Sequence, residues 1–213
     1  MKSTKIKIIG LFAIAILYCT NGANAQNSIR FGIKGGLNVS NLITSDVNTQ
    51  NALYGYNAGV FLKLPLNNYF SLQPELLYTT KGAELNYNNS YVTGTGRFAI
   101  NYFELPVLLV INLTKDLNIQ GGAYAASLTD ATAKNIVNGT FDFAGQINKD
   151  NFNTLDYGLI GGIGLDMGQT NLSIRYEYGL QTIGKQRSFS GVNYIFPNAH
   201  NSTLQANLSF SIF

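Results

Sequence analysis

Few residues in this chain of 213 have the chemistry of an active site. His200 is the only histidine, and in His200-Asn201-Ser202 it stands two residues from a hydroxyl. On a strand that spacing puts base and hydroxyl on one face, and such a pair becomes a serine nucleophile when an acid orients the imidazole. No Asp or Glu follows His200, so the acid would have to come from another strand, with Glu177 a candidate. The plainer reading is a loop histidine beside the start of a strand. Metal binding has less to draw on, because Cys19 is the only cysteine and the carboxylates are scattered. A calcium site through the loop residues Asp130, Asp142 or Asp150 has no spacing pattern behind it. Gly161-Gly162-Ile163-Gly164 sits mid-strand with no helix following, so it is not a phosphate cradle, and no cofactor is expected.

Charge is the other chemistry on offer. Arg30, Lys34, Lys63, Lys81 and Arg175, with Glu75, Glu104, Asp156, Asp166 and Glu177, all fall on the polar face of predicted strands. Five of each sign on one face predicts an interior network of ion pairs, since an unpaired buried charge costs several kcal/mol. A narrow proton or ion path is the sharper alternative, and a count of charges does not reach it.

The elements that carry these residues are strands. From Ile29 onward apolar residues alternate with Gly, Asn, Ser and charged ones, as in Phe31-Gly32-Ile33-Lys34 and Leu204-Gln205-Ala206-Asn207-Leu208. Alternation of period two means strands with one apolar and one polar face. Eight are predicted, over 29–40, 54–64, 69–83, 98–111, 117–127, 154–167, 172–179 and 202–213. Short connections (65–68, 112–116 and 168–171) alternate with long polar ones (41–53, 84–97, 128–153 and 180–201). That rhythm belongs to an all-β, eight-stranded antiparallel up-and-down barrel spanning an outer membrane, with short periplasmic turns and long external loops. Loop aromatics such as Tyr87, Tyr91, Phe141, Phe143, Phe189 and Tyr194 are candidate contacts for partners. Pro74 and Pro106 each remove a ladder donor, so local bulges or an edge-like weak point in the barrel wall are expected there. A soluble lipocalin-like barrel, with the apolar face turned inward, is the competing arrangement.

The N-terminus agrees with export. Lys2, Lys5 and Lys7 precede an apolar run from Ile8 to Tyr18, and Ala23-Asn24-Ala25 is a small-residue cleavage site. Thr20 and Asn21 stop the run short of the ~20 apolar residues a spanning helix needs. Residues 1–25 therefore read as a cleaved signal peptide for the Sec pathway, and 26–213 as the barrel domain. Cleavage removes Cys19 and three lysines, leaving 11 basic residues against 11 acidic ones. Such a balanced chain lacks the basic surface that nucleic-acid binding requires.

Several segments resemble the PorT-like outer-membrane barrels of Bacteroidota, small barrels of the OmpA/OmpX and porin-family kind. They are Leu72-Gln73-Pro74-Glu75-Leu76-Leu77-Tyr78 with Lys81-Gly82-Ala83, Tyr102-Phe103-Glu104-Leu105-Pro106-Val107-Leu108-Leu109, Asp156-Tyr157-Gly158-Leu159-Ile160-Gly161-Gly162-Ile163-Gly164, and Arg175-Tyr176-Glu177-Tyr178-Gly179-Leu180. The resemblance covers the mature chain in order. It implies a non-enzymatic barrel in the outer membrane of a Gram-negative cell, in contact with lipid and lipopolysaccharide and monomeric. As an alternative it implies an accessory of a protein-secretion system with envelope partners. The ending Phe210, Ile212, Phe213 resembles the C-terminal aromatic signal read by the barrel-assembly machinery, with Phe213 on the opposite parity from Leu208, Phe210 and Ile212. His200-Asn201-Ser202 looks like the His-x-Ser of outer-membrane lipid A deacylases, without their downstream acid. A lipid A-modifying enzyme using His200 and Ser202 is thus a further alternative.

Overall fold

A computed structural model describes residues 28–44, 51–88, 93–137, 140–146, 153–184, 186–189, 192–195 and 199–212. The expected signal peptide lies outside them, as do Tyr91, Asp150 and Phe213. Every regular element among the described residues is a strand: β1 (Arg30–Thr44), β2 (Asn51–Pro65), β3 (Phe70–Asn88), β4 (Thr93–Asn112), β5 (Leu117–Val137), β6 (Thr140–Gln146), β7 (Leu155–Met167), β8 (Thr170–Thr182), β9 (Gln186–Phe189), β10 (Val192–Ile195) and β11 (Ala199–Ser211). Antiparallel pairing runs β1-β2-β3-β4-β5-β7-β8-β11 and returns to β1, so eight strands close a barrel. The seam between first and last strands is continuous, from Gly32 opposite Ser211 to Thr44 opposite Ala199.

Three tight turns gather at one end, and the chemistry of each is visible in its residues. In the β2–β3 turn the Asn67 carboxamide oxygen accepts the amides of Tyr69 and Phe70 at 2.8 and 2.9 Å. In the β4–β5 turn the Thr114 hydroxyl does the same for Asp116 and Leu117. Such side chains hydrogen-bond backbone two or three residues on and so mimic a turn. The β7–β8 turn needs a left-handed residue and has Gly168 at φ 66°.

The two faces separate by parity. Apolar side chains point outward: Leu37 is 70% exposed, Ile163 57% and Leu208 53%. Lys81 and Glu104, by contrast, are fully buried. A soluble barrel requires the reverse, so the inside-out alternative falls. Tyr54, Tyr56, Phe103, Tyr157 and Tyr176 ring the outer surface toward the loop end, and Tyr69, Phe70 and Phe210 ring it toward the turn end, all exposed. These are the aromatic girdles of a membrane barrel.

One expectation needs correction. The segments 84–97 and 128–153 are largely strand: β3 and β4 pair without a break from Gly82 opposite Ala99 to Asn88 opposite Thr93, and β5 pairs with β6 over 132–146. Tyr87, Phe141, Phe143, Phe189 and Tyr194 accordingly lie on strands. Alternation of apolar residues ends where lipid ends, whereas the backbone ladder needs no apolar side chains to continue. At the prolines the wall has the expected weak point rather than a bulge. Around Pro74 the ladder lapses for two residues on each side, between Phe61–Glu75 and Leu64–Leu72 and between Pro74–Val107 and Leu77–Glu104, with register kept. The register shifts fall instead at 52/57, 101/102, 135/136 and 200/202.

Candidate functional site

Small residues make room for long ones inside the barrel. A Cβ on Gly162 of β7 would stand 2.8 Å from Cγ of Arg175, and one on Gly158 would stand 2.7 Å from the Tyr124 ring. The outward Gly161, next in the chain, faces open space. Inward glycines therefore admit the arginine and the tyrosine around which two charge clusters form.

The first cluster centres on Glu75 of β3. The Arg175 fork donates to both its oxygens at 2.9 Å, Lys34 Nζ donates at 2.7 Å, and the Gln73 amide donates at 2.7 Å. A bidentate guanidinium–carboxylate pair is the strongest form of such contact. Arg175 Nε donates to Gln120 at 2.6 Å, Gln120 to Asn118 at 2.8 Å, and Asn118 to Asp166 at 2.7 Å. Asp166 also accepts Asn171 at 2.9 Å and, at 3.5 Å, Lys63. One continuous chain thus crosses the lumen through β2, β7, β5, β8, β3 and β1. Its amide links, Gln73, Asn118, Gln120 and Asn171, were not singled out by sequence reasoning. Their inward parity was the available signal.

The second cluster lies nearer the loop end. Lys81 Nζ sits 2.5 Å from a Glu104 oxygen, 2.8 Å from a Glu177 oxygen and 4.1 Å over the Tyr124 ring. The Tyr124 hydroxyl donates to Asp156 at 3.2 Å, and Asn201 donates to the same carboxylate at 2.8 Å. The charges are segregated: two cations face one carboxylate in the first cluster, and one cation faces three carboxylates in the second. Toward the loops, buried Leu53, Ile100, Leu128, Ala131 and Ile183 replace polar groups.

The remaining candidates are not brought together. Arg30 stands exposed at the turn-end rim and makes no ion pair among the described residues. His200 and Ser202 lie across the barrel wall from this interior. The Ser202 hydroxyl is shared with that of Tyr176 at 2.8 Å, and His200 stacks on Tyr178 with centroids 6.3 Å apart. Nδ1 of His200 is buried without a hydrogen-bond partner, so nothing in this arrangement activates the serine. Among the described residues no group of three His, Cys, Asp or Glu side chains is placed to hold a metal. Phe210 and Ile212 point outward, and Phe213 lies outside the described residues.

Residues 24–184 match a family model described as an outer membrane protein beta-barrel domain. No curated protein matches the sequence. Among solved structures, Ail, the attachment invasion locus protein of Yersinia pestis, aligns with a TM-score of 0.50 at 12% identity, over 88% of this chain and 100% of that one. Neisserial surface protein A (NspA) aligns with a TM-score of 0.50 at 14% identity, over 87% and 99%. At such identities the likeness is one of fold.

Proposed function

The chain belongs to the outer membrane protein beta-barrel domain family, and we propose that it is a non-enzymatic surface-binding barrel whose lumen is closed by its own side chains. The short turns face the periplasm and the long connections face outward, after export through the Sec pathway and cleavage following Ala25. The observation that carries the binding role is the sheet that rises beyond the apolar belt, in which β3 and β4 pair to Asn88 and Thr93 and β6 adds to β5. Among the described residues β6 is the edge strand of this sheet, paired on one side by β5. An extended segment of a partner protein is the chemistry that completes such an edge.

Deleting residues 138–147 tests this reading in whole cells. The boiled and unboiled protein should still migrate differently on SDS gels, showing an intact barrel, while proteins cross-linked to the wild type at the surface are lost. Unchanged cross-links would overturn it. The motifs that resemble PorT-like barrels fall on β3, β4, β7 and β8 and support a second reading, an accessory role in secretion. That reading requires envelope proteins to co-purify with the chain in stoichiometric amounts.

A further inference from the structure

At the turn end the lumen widens into a vestibule of about 540 Å³, within the size range of sites for small ligands. Its lining includes Arg30, Lys63, Lys115, Asp116 and Asp166. Three cations thus meet two carboxylates, and the carboxylates are already engaged. Asp116 lies 3.9 Å from Lys115, while Asp166 holds Asn118, Asn171 and Lys63. Among the described residues Arg30 is the cation of this recess without an ion pair. A smaller cavity shares Arg30, Lys63 and Asp166 and reaches inward to Gln73, which donates to Glu75. Behind that residue Lys34 and Arg175 face the single carboxylate Glu75. Among the described residues the turn half therefore has five cations against three carboxylates, in a recess where low-dielectric walls concentrate the field.

We propose that this vestibule is a binding site for a small soluble oxyanion bearing phosphate or carboxylate groups. The Arg30 guanidinium holds it by a two-pronged contact, and Lys63 adds a point charge. The site is a dead end, because the Glu75–Arg175 pair and the buried apolar side chains fill the lumen above it. Arg30, Lys63 and Asp166 stand inside the ring of turns, with Tyr69 of the girdle at the border of the recess, and this favours a solute over a lipid headgroup.

The experiment is a titration of the full barrel in maltoside micelles with inorganic phosphate, read by backbone amide resonances of 28–30, 63–68 and 113–116. We expect saturable shifts that weaken as ionic strength rises. Arg30→Ala should weaken binding on the order of tenfold, the loss of one charge-assisted contact. Asp166→Asn should strengthen it, since it removes a facing negative charge; its single oxygen can still accept from Asn118 or from Asn171, and the other contact is given up. Heat-modifiable migration confirms that each variant is folded. The absence of saturable shifts in the wild type, or equal affinity in Arg30→Ala, would overturn the proposal. A response to added anionic phospholipid with none to phosphate would also overturn it, assigning the charge to membrane headgroups.

Discussion

Arg175 is the side chain on which the interior turns, because it joins the bidentate contact with Glu75 to the amide chain through Gln120. Arg175→Ala leaves Glu75 with Lys34 and Gln73 alone, in a site closed to water. Removing one partner of a buried pair costs about 3–5 kcal/mol, and the surviving Lys34 contact points to the lower end. Urea unfolding in detergent should show it. Replacing Lys34, Glu75 and Arg175 together with methionine should cost less than Arg175→Ala, since no charge is then stranded. The neighbouring glycines give a sharper contrast. Gly161→Ala meets nothing and should be neutral or stabilising by up to about 1 kcal/mol, through the less flexible unfolded chain. Gly162→Ala drives a methyl into Arg175 and the Ile174 carbonyl and should destabilise the barrel measurably in the same assay. The charged residues were legible from parity because a strand has only two faces. Their pairing was not, because partners such as Glu75 and Arg175 are 100 residues apart and meet only once shear and closure are set.

At the scale of the strand, the wall is thinned in hydrogen bonds by the lapse around Pro74 and Pro106. Proline lacks a donor, and here the strands keep register while neighbouring residues go unpaired. Successive amides point to opposite neighbours, and Glu75 and Leu76 still face Phe61 and Val60 of β2. Whichever of the two amides points to β4 should therefore exchange with solvent deuterium before those of the unbroken β1–β11 ladder. Equal protection would mean the lapse is closed in the membrane. Each of the eight barrel strands was visible in the sequence because lipid imposes alternation on one face. Their loop-end extensions were invisible for the same reason. Leu85-Asn86-Tyr87-Asn88 and Thr93-Gly94-Thr95-Gly96 have the composition of a loop, yet they pair as a hairpin, since only backbone groups are needed there.

The molecule as a whole is a cylinder with its solubility reversed, apolar outside and charged within. It should be extracted only by detergent and migrate faster on SDS gels unboiled than boiled. Recovery in a soluble periplasmic fraction would contradict the fold. Sequence reasoning reached the closed barrel because eight amphipathic strands in a bilayer have nowhere to leave an edge unpaired. It did not reach the vestibule, which is built from three turns and the ends of β1, β2, β3, β4 and β7 and exists only after closure. The seam has a further consequence. β1 and β11 are ordinary neighbours in the ladder, and at the turn end the Ile212 amide donates to the Phe31 carbonyl at 2.8 Å. Chain ends that lie side by side make chain order a matter of convenience. A circular permutant with 212 joined to 28 by a short linker and new termini cut at 45–50 should close into the same cylinder, so the wall has no intrinsic first strand.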